Sequence, residues 1–402
     1  MNILFYQWNA YNGPDTEGML KVLGHRVTGF AEHFSDANKD PVFAEKFRKV
    51  LCSEQYDIVF SIDYFSVISE VCEGLGIPYV SWSCDAALTG MYHSSVFNRC
   101  NYIFLFDRAD YLEFRNKGLS HVYHLPLAAA TERIDAALEQ KSPPEEAPEI
   151  SFVGTLYAKN QYDALSESFS PYLKGYLDAC IEAQLNISGG NLLELMMTEE
   201  ILERILKDYR IEKQPGSGSD PALFFVRNVL GYKAAREERL RVLQALGERF
   251  FVTLYGPEAP PDHVMEKAGK LSLLPVLDYW EELPGIYAVC RINLNLTIPN
   301  IESGVPLRVF DILASGGFLI TNDRPELHTL FTPGKDLVIF DGIPDLISQA
   351  KYYLEHDKER LAIAHHGRET VRKHHSLRLR LMELMGILET ELLEAKFESN
   401  AR

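Results

Sequence analysis

Positive charge is scarce in this chain relative to negative charge. Across 402 residues, 40 Lys and Arg stand against 57 Asp and Glu, a formal net charge of −17. A nucleic-acid backbone asks for a basic stripe, so a nucleic-acid partner is not expected. Docking on an anionic membrane surface is disfavoured for the same reason. Paired cysteine spacing is missing too. Cys52, Cys72, Cys84, Cys100, Cys180 and Cys290 are scattered along the chain and read as reduced thiols of a cytoplasmic protein. Neither CxxC nor HExxH occurs, so no zinc site is expected. No run approaches the roughly 18 apolar residues of a membrane span. The start, Met1-Asn2-Ile3-Leu4-Phe5-Tyr6, has no basic leader and no long apolar core, so no signal peptide is expected.

What is present is ordinary globular material: 46% hydrophobic and 24% charged residues. The length exceeds one ordinary core and predicts two domains or one large α/β unit. Short apolar runs separated by helical stretches predict a parallel sheet covered on both faces. In the first part these runs are Ile3 to Trp8, Asp57 to Ile62, Pro78 to Trp82, Tyr102 to Phe106 and Val122 to Leu125. Residues 136–149 turn polar around Ser142-Pro143-Pro144-Glu145-Glu146 and predict a surface linker. A second series begins at Ile150 and includes strands at Phe250 to Gly256, Leu273 to Leu277, Ile292 to Leu296, Phe318 to Thr321 and Leu337 to Phe340. Between about 160 and 245 the chain predicts a polar helical insertion, interrupted by Pro215-Gly216-Ser217-Gly218-Ser219. From about Ile343 to Ala395 it predicts helix with a break near His374. The expected domains are therefore 1–135, a linker at 136–149, and 150–372. Residues 373–402 form a terminal helix that can return to the first domain.

The most informative stretch is Ile301 to Gly317. A loop with Gly304 and Pro306 runs into an amphipathic helix that stops at Gly316-Gly317. Such a helix start offers backbone N–H groups and the positive end of a dipole, a place for phosphate. Arg308 falls in its first turn and can pair with the same phosphate. Asp311, three residues on, shares that helix face and can accept from a ribose diol. Diphosphate with ribose means a nucleotide or nucleotide-sugar. Doubly wound sheets bind such ligands at the carboxyl ends of their strands, and Gly154, Gly256, Thr297 and Thr321 follow expected strand ends.

These residues carry a family resemblance. Gly304-Val305-Pro306-Leu307-Arg308-Val309-Phe310-Asp311, followed by Ala314-Ser315-Gly316-Gly317-Phe318-Leu319-Ile320, resembles the nucleotide-binding domain of GT-B glycosyltransferases. The likeness is to the group related to the spore maturation protein CgeB. Phe152-Val153-Gly154 and Ile292-Asn293-Leu294-Asn295 fit the same domain. Tyr79-Val80-Ser81-Trp82-Ser83-Cys84-Asp85 and Leu125-Pro126-Leu127-Ala128 resemble its N-terminal companion. The resemblance implies an α/β GT-B fold, two Rossmann-like domains with parallel sheets facing an interdomain cleft. The C-terminal domain would hold a nucleotide diphosphate sugar, UDP- or dTDP-linked, and the N-terminal domain an acceptor hydroxyl of a glycan or glycosylated protein. It implies no bound metal and no separate cofactor. Relatives carry two Glu in the donor loop; here Asp311 takes the second position, Ser303 stands where the first would be, and Glu302 lies one residue early.

The donor-side candidates are thus Gly154, Lys159, Gly256, Tyr279, Glu302, Ser303, Gly304, Val305, Pro306, Leu307, Arg308 and Asp311. Lys159 is either a counter-charge for the departing diphosphate or a solvated loop lysine. Tyr279 or Trp280 either stacks on the base or packs at a helix start capped by Asp278. Arg236, Arg239 and Arg241 sit on a charged helix and read as solvated. Asp85 and His93 are the candidate general bases, and Arg308 the candidate catalytic cation. His124 reads as a core histidine. His374 and His375 are adjacent and, on a helix, point about 100° apart, which rules out a metal pair. Two alternatives to transfer remain: a nucleotide-sugar epimerase of the same fold, and a non-catalytic nucleotide-sugar-binding protein.

Overall fold

A computed structural model describes residues 1–86, 88–140, 147–187, 189–209 and 221–400. Ser142 to Glu146 and Pro215 to Ser219 lie outside the described residues. The chain folds into two units, residues 1–130 with 374–400, and residues 131–373.

The first unit carries six parallel strands: β1 (Asn2–Tyr6), β2 (Arg26–Phe30), β3 (Ile58–Ile62), β4 (Tyr79–Trp82), β5 (Asn101–Leu105) and β6 (Val122–His124). Their order is β2-β1-β3-β4-β5-β6. β3, β4 and β5 are buried at every residue, as a sheet covered on both faces requires. The helix Pro41–Ser53 is capped by the Asp40 carboxylate, which accepts from the N–H groups of Val42 and Phe43. It buries Phe43, Phe47 and Leu51, spaced i, i+4, i+8. The terminal helix Leu377–Asn400 belongs to this unit. It is tied on by Ala129 N–H to the His375 carbonyl (3.1 Å) and Leu377 N–H to the Ala129 carbonyl (2.7 Å).

The second unit carries β7 (Ile150–Val153), β8 (Val252–Tyr255), β9 (Leu271–Leu274), β10 (Ile292–Asn295), β11 (Leu319–Asn322) and β12 (Val338–Phe340). All are parallel, in the order β12-β11-β10-β7-β8-β9. Between β7 and β8 run the helices Gln161–Leu165, Pro171–Gln184, Glu199–Tyr209, Pro221–Phe225 and Gly231–Gly247. This insertion has an apolar core of its own, around Leu173, Leu177, Ile205 and Phe225. Its last helix also sends Leu243 and Leu246 into the sheet core.

Four expectations need correction. β2 was not anticipated, because an edge strand with a half-exposed Arg-Val-Thr-Gly-Phe sequence shows no apolar run. β9 ends at Leu274, three residues before the expected Leu277, since only Leu271 of it is buried. Residues 136–140 are not linker but the end of the helix Thr131–Gln140, which buries Ile134 and turns its polar residues outward. The C-terminal helical region breaks twice, at His356 as well as after His374.

Candidate functional site

In the second unit the chain leaves β7 toward β8 and β9, then crosses back to build β10, β11 and β12 on the other side. Loops leaving β7 and β10 therefore diverge, and the crevice at such a reversal is where doubly wound sheets bind ligands. Arg308 stands there. Its Nη1 donates to Asn295 Oδ1 at 3.3 Å, at the end of β10. On the other side it lies against Gly154, just past β7: a Cβ on that glycine would come within 3.2 Å of Arg308 Nη2. A Cβ on Gly256, just past β8, would lie 2.4 Å from the Gly154 carbonyl oxygen. Both glycines thus have a steric reason to be glycine.

Arg308 belongs to the first turn of the helix Leu307–Ala314, whose N-cap, Pro306, supplies no side-chain hydrogen bond. The positive end of that helix is therefore left for something other than a side-chain cap. The loop before it is tightly held. Arg324, 4% exposed, donates to the carbonyls of Ile301 (2.8 Å), Thr297 (2.8 Å), Ile298 (3.0 Å) and Asp323 (2.6 Å). Asn322 accepts from Thr297 N–H (2.8 Å) and donates to the Thr297 carbonyl (2.9 Å). Neither residue stood out in the sequence, although Asn322 ends the buried strand β11 and Arg324 lies two residues beyond it. Ser303 is used by this scaffold: its hydroxyl donates to Glu326 Oε1 at 2.9 Å and its carbonyl accepts from Glu326 N–H. Glu302 is exposed, Gly304 and Val305 are buried, and Pro306 and Leu307 are half-buried.

Asp311 is 5% exposed, and its Oδ2 accepts from the Tyr279 hydroxyl at 2.9 Å. The Tyr279 ring is covered by Arg133, whose guanidinium carbon lies 4.9 Å from the ring centre. The base-stacking and ribose-binding candidates are thus partners of each other. Asp278 does cap the following turn, accepting from Trp280 and Glu281 N–H. The buried Tyr287 feels both Arg308 and Asp311. Burial pushes its phenol well up, the Arg308 guanidinium acts to lower it, and Asp311 raises it further.

The loop after β7 is built around Glu258, which accepts from Thr155 Oγ1 (2.7 Å), Leu156 N–H (2.6 Å) and Ala158 N–H (3.1 Å). Burial acts to raise the Glu258 pKa, but these hydrogen bonds outweigh it and hold the carboxyl below its ordinary value. Tyr157 in this loop takes φ +53°, and Lys159 is exposed. Of the three arginines expected in solvent, Arg241 is on the surface, paired to Glu182, and Arg236 is half-buried. Arg239 is not solvated. It is 3% exposed and donates to the Thr155 (2.6 Å) and Leu296 (3.1 Å) carbonyls, just beyond β7 and β10.

The first unit has its own reversal, between β1 and β3. Asp63 follows β3 there, 2% exposed and at φ +60°, a conformation costing about 1–3 kcal/mol. Its Oδ1 accepts from Cys84 N–H (2.7 Å) and Asp85 N–H (3.3 Å), and Cys84 Sγ lies 3.6 Å from Oδ2. Burial, and then the charge of Asp85, raise the Asp63 carboxyl well above the usual carboxylate range. Asp85 is exposed above this buried acid. Asp63 was missed; its signal was an acid ending a buried apolar strand. His93 serves as a cap. Its Nδ1 accepts Ser95 N–H at 3.1 Å, heading the short helix Ser94–Phe97. His124 packs beside Tyr111 at the end of β6.

A glycosyl transferase-like family model matches residues 235–386, which include the whole 297–314 loop and helix. No curated protein matches the chain by sequence. Among solved structures, a sucrose-phosphate synthase from Thermosynechococcus elongatus is similar at 11% identity, TM-score 0.59, over 98% of this chain and 100% of that one. A glycosyltransferase from Rickettsia africae gives 11% identity and TM-score 0.58 over 97% and 98% of the two chains. HepE of Anabaena, solved in complex with UDP and glucose, gives 10% identity and TM-score 0.54 over 97% and 100%. Among the described residues no helix is long and apolar enough to cross a membrane. With two sheets of parallel strands and full-length likeness to these structures, the chain has the α/β fold of the GT-B glycosyltransferases.

Proposed function

We propose that this protein is a glycosyltransferase that moves a sugar from a nucleoside diphosphate sugar to an acceptor hydroxyl. The observation that carries this is Arg308, lying between the ends of β7 and β10 at the head of a helix without a side-chain cap. HepE, of the same fold, was solved with UDP and with UDP-glucose, which favours a UDP-linked donor. The sequence around 304–320 favours the CgeB-related group within the fold.

In the proposed reaction the bond from the anomeric carbon to the β-phosphate oxygen breaks. Its electron pair leaves with the diphosphate, and the acceptor oxygen takes the vacated position while losing its proton. Arg308 and the first-turn amides of 307–314 meet the charge that builds on the leaving group. The fixed positive charge of these groups lets the step run without a metal. The first unit takes the acceptor in this reading, with Asp85 as the proton-accepting group. Isothermal titration of UDP tests the core of it. Removing one charge-assisted hydrogen bond, worth about 1.5–3 kcal/mol, is expected to weaken UDP about 10- to 100-fold in Arg308→Ala. Unchanged affinity in a folded variant refutes the phosphate role. Incubation with UDP-sugar alone separates transfer from isomerisation: an epimerised sugar product would make the protein an epimerase.

A further inference from the structure

Arg239 poses a problem that hydrogen bonding does not solve. Its guanidinium is 3% exposed, and no carboxylate among the described residues lies within ion-pair distance of it. Its Nε has no hydrogen-bond partner. A buried, unpaired charge is penalised by several kcal/mol. Two carbonyls and the faces of Tyr157 (4.7 Å) and Phe152 (5.3 Å) offset part of that. A neutral donor would serve the carbonyls as well, as Asn322 does for Thr297. Glu238, the acid next to it in sequence that acts on it, is itself pushed up by burial.

The same place holds a second guanidinium. Arg308 also lies over the Phe152 ring, at 5.8 Å, and it too has no ion-pair partner among the described residues. The two cations repel, which adds to the effect of burial in disfavouring the charge on Arg239. Arg308 is half-exposed and Arg239 buried, so one can touch a ligand and the other cannot. Two positive charges without an ion-pair partner, between the ends of β7 and β10 and beside a helix N-terminus, favour an anion there, and a multiply charged one most.

We propose that Arg239 is a positioning residue of the donor site, a buried second cation whose charge makes the site select a diphosphate over a monophosphate. This rests on the nucleoside diphosphate reading above. It adds a residue that never contacts the ligand, and a selectivity that Arg308 alone would not set. The loop carbonyls it holds, Thr155 and Leu296, flank the crevice, so it also fixes the distance between the loops that follow β7 and β10.

The test compares UDP with UMP by isothermal titration for wild type, Arg239→Met and Arg239→Lys. Both variants break the two-carbonyl fork; only the lysine can carry a charge, and its titrations are run at about pH 6 as well as about pH 7.5 so that the charged form is sampled. The wild type is expected to prefer UDP, the methionine variant to lose about tenfold of that preference, and the lysine variant to keep it within about twofold. An equal loss for UDP and UMP in Arg239→Met, with the ratio unchanged, overturns the inference and leaves Arg239 a purely structural tie. If the methionine variant does not fold, the lysine variant decides: a ratio that collapses while the charge is kept also overturns it. A wild type that binds neither ligand defeats the nucleotide reading and this inference together, an outcome distinct from the other two.

Discussion

The hydrogen bond from Tyr279 to Asp311 lies where a structural tie and a ligand contact compete, and Tyr279→Phe separates them. Asp311 is 5% exposed and the bond measures 2.9 Å, so the donor serves a nearly buried carboxylate. Hydrogen bonds to charged groups contribute about 1.5–3 kcal/mol. For a folding unit of this size, each kcal/mol moves Tm by about 2–4 °C. The variant is therefore expected to melt roughly 3–12 °C below wild type, by circular dichroism or differential scanning calorimetry. Ligand binding should move the other way. With its phenol partner gone, Asp311 has more to gain from a ribose diol. The ratio of UDP to 2′,3′-dideoxy-UDP affinity should then rise in Tyr279→Phe and fall toward one in Asp311→Ala. A Tm within 1 °C of wild type would show that the bond contributes nothing. A wild type indifferent to the ribose hydroxyls, combined with an Asp311→Ala variant that melts early yet binds UDP normally, would confine Asp311 to the scaffold.

Other outcomes follow from the same geometry. Gly256→Ala places a Cβ 2.4 Å from a backbone oxygen that cannot swing aside, and urea denaturation should show a loss of at least about 2 kcal/mol. Gly175→Ala, on the helix Pro171–Gln184 with nothing within 4 Å, should instead gain about 0.5–1 kcal/mol, and a matching loss at both sites would undo the steric reasoning. Asp63 keeps its proton to higher pH in the folded chain than in the unfolded one, because burial and Asp85 disfavour its charge. Stability from this group is complete below the ordinary Asp range and is lost as pH rises through the elevated folded value. Asp63→Asn, which keeps an acceptor for the Cys84 and Asp85 amides, should gain on wild type steadily between pH 5 and about pH 9 in urea melts. Parallel curves would mean that Asp63 is ionised throughout. Treating the protein with EDTA should leave the rate of sugar transfer unchanged; a rate restored only by Mg²⁺ or Mn²⁺ would contradict the role given to the fixed cations.

Much of this fold was legible because its strands are buried on both faces. β3 and β5 are short, mostly apolar runs buried at every residue. β2 and β9 were missed or displaced where that rule lapses, at sheet edges whose residues face solvent. The loop and helix at 301–317 were legible for a different reason. Gly154, Gly256, Arg308 and Asp311 are residue types tied to one kind of backbone or one kind of chemistry, and they recur at strand ends and helix starts. What spacing could not show is how a polar side chain is spent once the chain closes. Ser303 is consumed by Glu326, His93 by Ser95, and Tyr279 by Asp311.

Arg239 marks the boundary between the two cases. The stretch Arg236 to Arg241 looks like a solvated face when its charges are counted. Read by helical period it does not. Ala235, Arg239, Val242 and Leu246 fall at i, i+4, i+7 and i+11, and all four are buried. A cation on the apolar stripe of a helix is expensive unless something at the far end of its side chain needs the charge. Val242 and Leu246 of that stripe pack into the sheet core, while the Arg239 side chain reaches the Thr155 and Leu296 carbonyls just beyond β7 and β10. Counting charge hid the residue, whereas placing each charge on its helix face would have singled it out before any coordinates.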